Sequence, residues 1–194
     1  MTGFLTLSIA EAGDTLFKKK STHATHQLMN ISLAPTCKAD LDSLVALRVE
    51  AMRHSLERIG RFDPVRAGER LRASFSAERT RHILAAGERV GFVVVKPDEG
   101  GLLLDHLYVR PELQGQSIGT HVLAMVFAEA DALGLSIHVG ALKESDSNRF
   151  YLRHGFTQVS VGEWDIYYVR AAAAHKPAQG ITSTFSRVNL ASPP

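Results

Sequence analysis

The chain has 194 residues, 45% of them hydrophobic, enough for one globular domain with a sizeable core. Its 22 basic and 20 acidic residues leave a net charge of +2, which gives no grounds for a nucleic-acid or membrane partner. The single cysteine, Cys37, excludes an internal disulfide and a cysteine zinc site, and no apolar run approaches the roughly 18 residues of a membrane span.

Residues 1–28 show no hydrophobic period, and Lys18, Lys19 and Lys20 follow the apolar start, the reverse of a signal peptide. This segment is expected to be a weakly ordered extension, with Met29 as an alternative start, on a cytoplasmic protein. Residues 31–34 form a short strand ended by Pro35. Thr36 or Asp40 can cap the helix that follows. There Leu41, Leu44, Val45, Val49, Met52, Leu56 and Ile59 make one apolar stripe, and Gly60 stops it. Phe62, Asp63 and Pro64 turn the chain into a second helix over 65–75. The period then changes. Residues 81–85 and 89–95 read as strands joined at Gly87 and Glu88, and 97–101 as a turn into a third strand over 102–109. A helix over 118–133, a strand over 136–142, a short helix over 145–154 and a closing hairpin (157–161 and 164–169) complete the pattern. Residues 171–194 are small and polar and read as a flexible tail. The order predicts an α/β fold on one mixed, mostly antiparallel sheet, with the domain over 29–170.

Two stretches carry chemistry. Pro111 ends the third strand, and Gln114, Gly115, Gln116, Ser117, Ile118, Gly119 and Thr120 lead into a helix. The first turn of a helix has unpaired N–H groups and a partial positive charge, so a diphosphate fits there without a lysine. The pattern is not G-x-G-x-x-G, and no acidic residue ends a following parallel strand at the distance a dinucleotide-binding loop needs. Later, Asn148, Phe150 and Tyr151 lie on the short helix before Gly155 and Phe156.

Together these residues resemble the GNAT superfamily of N-acetyltransferases. The likeness runs from about residue 31 to 170. It rests on Leu107-Tyr108-Val109-Arg110-Pro111, on Gln114 to Gly119, and on Phe150-Tyr151 with Gly155-Phe156. Ser117 stands where the family has its first glycine, and Ser145 where it often has an asparagine. The resemblance implies a three-layer α/β/α sandwich and acetyl-CoA as co-substrate, without a metal. It implies that two parallel strands (102–109 and 136–142) splay to admit the pantetheine arm. The backbone of Leu107, Tyr108 and Val109 would pair with that arm, and the loop from Gln114 to Thr120 would hold the pyrophosphate. Asn148, one turn before Tyr151, would replace the missing asparagine against pantetheine.

Acyl transfer from a thioester to an amine needs a neutral amine, a stabilised oxyanion and a proton for the thiolate. By resemblance Tyr151 supplies that proton and the Val109 N–H binds the oxyanion. Asp105 is the first choice as base, acting through water. Strict alternation sends Asp105 and His106 to opposite faces, so that only one meets the acceptor. His138 and Glu163 are weaker alternatives. The family builds its acceptor pocket from the first two helices, their linker and the last hairpin: Arg58, Arg61, Phe62, Asp63 and Arg66, with Trp164, Asp165, Tyr167 and Tyr168 here. The set Arg53, Arg58, Arg61, Arg66, Arg70 and Arg72 can bind a carboxylate, although balance against Glu50, Glu57 and Glu69 accounts for most of it. The expected function is acetyl transfer to a primary amine of a small molecule or peptide, by a monomer or homodimer. A non-catalytic acyl-CoA sensor is the alternative from another class, and an acetylase acting on charged tRNA ranks below both.

Overall fold

A computed structural model describes residues 30–173. The expected extension over 1–28, and the expected tail beyond Ala173, lie outside the described residues.

Seven strands form one sheet: β1 (Ile31–Pro35), β2 (Thr80–Ala85), β3 (Glu88–Asp98), β4 (Gly101–Val109), β5 (Ser136–Leu142), β6 (Thr157–Val161) and β7 (Asp165–Arg170). Their order is β1-β2-β3-β4-β5-β7-β6, and every pair is antiparallel except β4 with β5. The helices are α1 (Leu41–Arg58), α2 (Pro64–Ser74), α3 (Ile118–Leu133) and α4 (Asp146–Arg153). One face of the sheet packs against α3 and α4 through Leu104, Val109, Val122, Val126, Tyr151 and Phe156. The other packs against α1 and α2 through Leu44, Val45, Leu71, Phe92 and Val94. This is the expected three-layer sandwich. Each fully buried aliphatic side chain in these layers contributes about 1.5–3 kcal/mol.

Local signals explain the element ends. The Asp63 carboxylate accepts from the N–H groups of Val65 and Arg66 at 2.9 and 3.1 Å, and Pro64 opens α2. Gly134 closes α3 in the left-handed conformation, φ +66°. Three expectations change. Thr36 caps no helix; its hydroxyl donates to the carbonyls of Ala77 and Thr80, pinning the end of β1 to the start of β2. Asp40 makes no side-chain cap to α1. Its carboxylate turns back to the Cys37 N–H at 2.8 Å and to Arg89 and His82. Pro97 and Asp98 belong to β3, so the β3–β4 turn is only Glu99 and Gly100.

Candidate active site

The β4–β5 pair supplies the site. It is in register from Gly101↔Ser136 to Leu104↔Val139 and then stops, although β4 runs on to Val109 and β5 to Leu142. The strands diverge, and a cleft of about 520 Å³ opens between them, with Tyr151 of α4 on its wall.

Backbone direction in the wedge follows from the β3 side. Arg110 donates to the Val90 carbonyl at 2.9 Å, and Gly91 opposes Val109. Antiparallel pairs alternate between bonded and non-bonded, so the N–H and C=O of Val109 and Leu107 point away from β3, into the gap. The Val109 carbonyl is taken by the Gln114 side chain at 3.0 Å, while its N–H faces the cleft. Tyr108 differs from the expectation. Its backbone groups face β3, and a Cβ at Gly91 would come within 2.2 Å of the Tyr108 carbonyl oxygen. Its hydroxyl donates to Met52 Sδ at 3.2 Å.

A bulge overturns the expected alternation at Asp105 and His106. Val94 opposes His106 while Val95 opposes Leu104, so β4 carries one extra residue at Asp105. Leu102 and Leu104 pack on the α3 side, and so do Leu107 and Val109; the parity flips between them. Both Asp105 and His106 therefore face α1 and α2, and both line the cleft. The Asp105 carboxylate is 2.9 Å from Lys96 Nζ and 3.8 Å from His106 Nε2. Burial pushes Asp105 up, but the Lys96 hydrogen bond and the neighbouring His106, Lys96 and Arg70 charges win and hold it below the ordinary value. His106 packs between Phe92 and Tyr108, at ring distances of 6.2 and 5.6 Å. Burial drives its pKa down to about 4. His138 and Glu163 do not line the cleft; His138 sits at the closed end of the wedge, 3.0 Å from Asp98.

Tyr151 is 6% exposed and packs on Phe150, Phe156 and Tyr168. Burial first, then the nearby Tyr108, push its phenol well above the ordinary value. It is a hydroxyl donor at any working pH. Asn148 has another task than the one expected. Its amide donates to the carbonyls of Leu142 and Ser145 at 2.8 and 2.9 Å and accepts from the Tyr168 hydroxyl at 2.8 Å. It does not line the cleft. It fastens α4 to β5 and β7, and a contact with pantetheine would break those bonds.

In the loop before α3, no N–H from Gly115 to Thr120 finds a partner among the described residues. Gly115 (φ +75°) and Ser117 (φ +62°) are left-handed, which turns successive amides toward one side. Gly119 packs on the Phe150 ring, which a Cβ would approach to 3.1 Å. The Thr120 hydroxyl bonds His154 at 3.0 Å. Six free amides at a helix start form an anion cradle that fits a pyrophosphate.

Of the expected acceptor residues, Arg61, Asp63, Arg66, Trp164 and Asp165 line the cleft, while Arg58, Phe62, Tyr167 and Tyr168 do not. Arg48, Met52 and Ser55 also line it. They share the inward face of α1, where their spacing was a usable signal. Among the described residues no group of three His, Cys, Asp or Glu side chains is placed to hold a metal, and no helix is long and apolar enough to cross a membrane.

The acetyltransferase (GNAT) domain model matches residues 77–158, the stretch that builds the wedge, the loop and Tyr151. Residues 77–158 of the chain are thus similar to a GNAT acetyltransferase domain. Solved structures share this GNAT fold. The PaiA N-acetyltransferase of Thermoplasma acidophilum, in complex with coenzyme A, superposes with a TM-score of 0.62 at 18% identity, over 74% of this chain and 99% of that one. An acetyltransferase from Thermus thermophilus gives 0.58 at 21% identity, over 73% and 96%. The ribosomal-protein-S18-alanine N-acetyltransferase of Escherichia coli gives 0.56 at 14% identity, over 76% and 98%. No curated protein matches the chain by sequence. The domain match and the shared fold support an acyltransferase.

Proposed function

We propose that the protein is an acetyl-CoA-dependent N-acetyltransferase that moves the acetyl group directly to a primary amine of a small molecule. The observation that carries this reading is the wedge. Beyond Leu104 and Val139 two parallel strands part, leaving the Val109 N–H aimed into a gap that Tyr151 borders. Backbone of Leu107 and Val109 would hold the pantetheine arm as an added strand. Gln114, Gly115, Gln116, Ser117, Ile118, Gly119 and Thr120 would hold the pyrophosphate through their amides. The thioester supplies an activated acetyl carbon.

The protein's residues then act in turn. Asp105, acting through water, takes the proton of the incoming ammonium, and burial keeps the neighbouring His106 ring neutral. The Val109 N–H stabilises the oxyanion as nitrogen attacks. Tyr151 gives its proton to the departing sulfur, whose conjugate acid has an ordinary pKa of about 8.5, as it takes up the second proton that the attacking nitrogen sheds. The ammonium thus loses two protons, one to the base and one, through Tyr151, to the thiol, so that an amide, a thiol and one free proton result.

The test is Tyr151→Phe. Thiol release with an accepted amine should fall by about 10²–10⁴, while acetyl-CoA affinity, read by calorimetry, stays within threefold or so of wild type. Equal turnover in both proteins would remove Tyr151 from the chemistry. Binding without turnover in wild type, across a broad amine panel, would favour the sensor reading.

A further inference from the structure

On the α1–α2 side of the cleft, Arg48 and Arg70 have no ion-paired anionic partner among the described residues. Arg48 is 3% exposed and its Nε has no hydrogen-bond partner. One terminal nitrogen donates to the Ala67 carbonyl, and the guanidinium lies 5.8 Å from the centre of the Tyr108 ring. One turn beyond Ala67 on α2, Arg70 lines the same cleft and forms no ion pair with a described residue. The other arginines in the sequence cluster are mostly committed. Arg53 pairs with Glu57, Arg72 with Asp42, and Arg58 with Asp146. Around Asp105, His106 and Tyr108 the acting cations are Arg48, Arg70 and Lys96. Glu50, Asp63, Asp146 and Asp165 also line the cleft, with Asp63 capping α2 and Asp146 pairing with Arg58 and Arg149, but the carboxylate acting on these three cations is Asp105, and Lys96 already holds it.

Resting on the N-acetyltransferase reading, we propose that Arg48 and Arg70 bind the carboxylate of the acceptor, so that the substrate class is a small amino acid rather than a polyamine or a peptide. Two guanidinium groups offer the paired N–H donors a carboxylate takes best. An unpaired buried guanidinium is costly, and an anionic substrate would relieve it. The bound carboxylate would also offset the positive field on His106, so the ring gains basicity when the correct substrate is present. Size follows from the enclosure. The Arg61 guanidinium lies 3.6 Å over the Trp164 ring, bridging the α1–α2 linker and the β6–β7 turn. Arg58 ties the end of α1 to the Glu144 carbonyl at 2.6 Å. These contacts bridge the acceptor end of the cleft and narrow it, which favours a short substrate over an extended chain.

The experiment is calorimetric titration of the full chain, with and without saturating CoA. The ligands are single L-amino acids, their C-terminal amides, short peptides and spermidine. CoA alone, titrated first, reports on the carrier reading independently. At least one free amino acid should bind about ten- to a hundredfold more tightly than its amide. Arg70→Gln should erase that preference. Arg72→Gln, on the same helix but paired with Asp42, should keep it. The proposal is overturned if the amide, a peptide or spermidine binds as tightly as the acid, if Arg70→Gln leaves acid binding unchanged, or if no free amino acid binds at millimolar concentration.

Discussion

His106 places an ionisable ring in the wall of the cleft with almost no surface exposed. It is 4% exposed, and neither ring nitrogen has a hydrogen-bond partner, a cost of about 1–3 kcal/mol per unsatisfied group. Burial is the largest influence on its proton. Asp105 pulls the other way, and Arg48, Arg70 and Lys96 add to the depression, leaving a pKa of about 4. An unfolded histidine titrates near 6.5. Between these values the unfolded chain binds a proton that the folded chain refuses, so stability falls as pH drops from about 6.5 to about 4. The expected loss is on the order of 3 kcal/mol. His106→Phe keeps a ring against Phe92 and Tyr108 and removes the proton. Chemical denaturation across this window should show a steeper slope in wild type than in the variant, which keeps only the contribution of carboxylates such as Asp40 and Asp131 near its lower end. An identical slope in both would place the acid sensitivity elsewhere.

The loop into α3 shows what one element asks of its sequence. The start and end of α3 match the sequence expectation, because Ser117 and Gly134 both leave helical space at its ends. Ser117 does so at φ +62°, a conformation that costs a residue with a Cβ about 1–2 kcal/mol. This gives a physical reason for glycine at the matching family position. Ser117→Gly should raise stability slightly, because the relieved strain is offset by about 0.4–1 kcal/mol of unfolded-chain entropy. It should not weaken CoA binding. Ser117→Val, β-branched at positive φ, should lower the melting temperature and weaken CoA binding. Thermal shift and calorimetry on the three proteins rank them, and any order other than Gly, Ser, Val sinks the argument. Elements with strong local signals were legible in this way, down to single residues for α3, β5 and β6. The β4 bulge was not. Residues 102–109 alternate acceptably as an unbroken strand, and the extra residue exists only relative to β3. Asn148 failed for the same reason: spacing on α4 pointed it toward Tyr151, but its deciding partner is Tyr168, 20 residues on.

Across the whole molecule, six strand pairings hold the sheet, and one of them is left half made. The unmade half of β4–β5 exposes backbone groups that a sheet would ordinarily pair, and such groups are costly unless something bonds them. An extended amide-bearing ligand would fill that role. On the proposed reading the wedge, the six amides from Gly115 to Thr120 and Tyr151 are one binding unit spread over β4, β5, α3 and α4, joined by the Thr120–His154 and Gln114–Val109 bonds. Acetyl-CoA on the proposed reading should therefore slow hydrogen exchange at Leu107, Val109 and residues 115–120 together. Tyr108, whose N–H is bonded within the sheet, and the β2–β3 pair far from the wedge should change little. At a hundredfold excess over Kd the stabilisation is about 2.7 kcal/mol, or roughly 5–10 °C in melting temperature. Exchange mass spectrometry with peptides split at the wedge separates the cases. Protection of the α3 loop alone would mean the carrier docks by its phosphates without entering the sheet, and the direct-transfer geometry at Val109 would be lost. Protection spread evenly over all strands would mean a general stabilisation with no seat in the wedge.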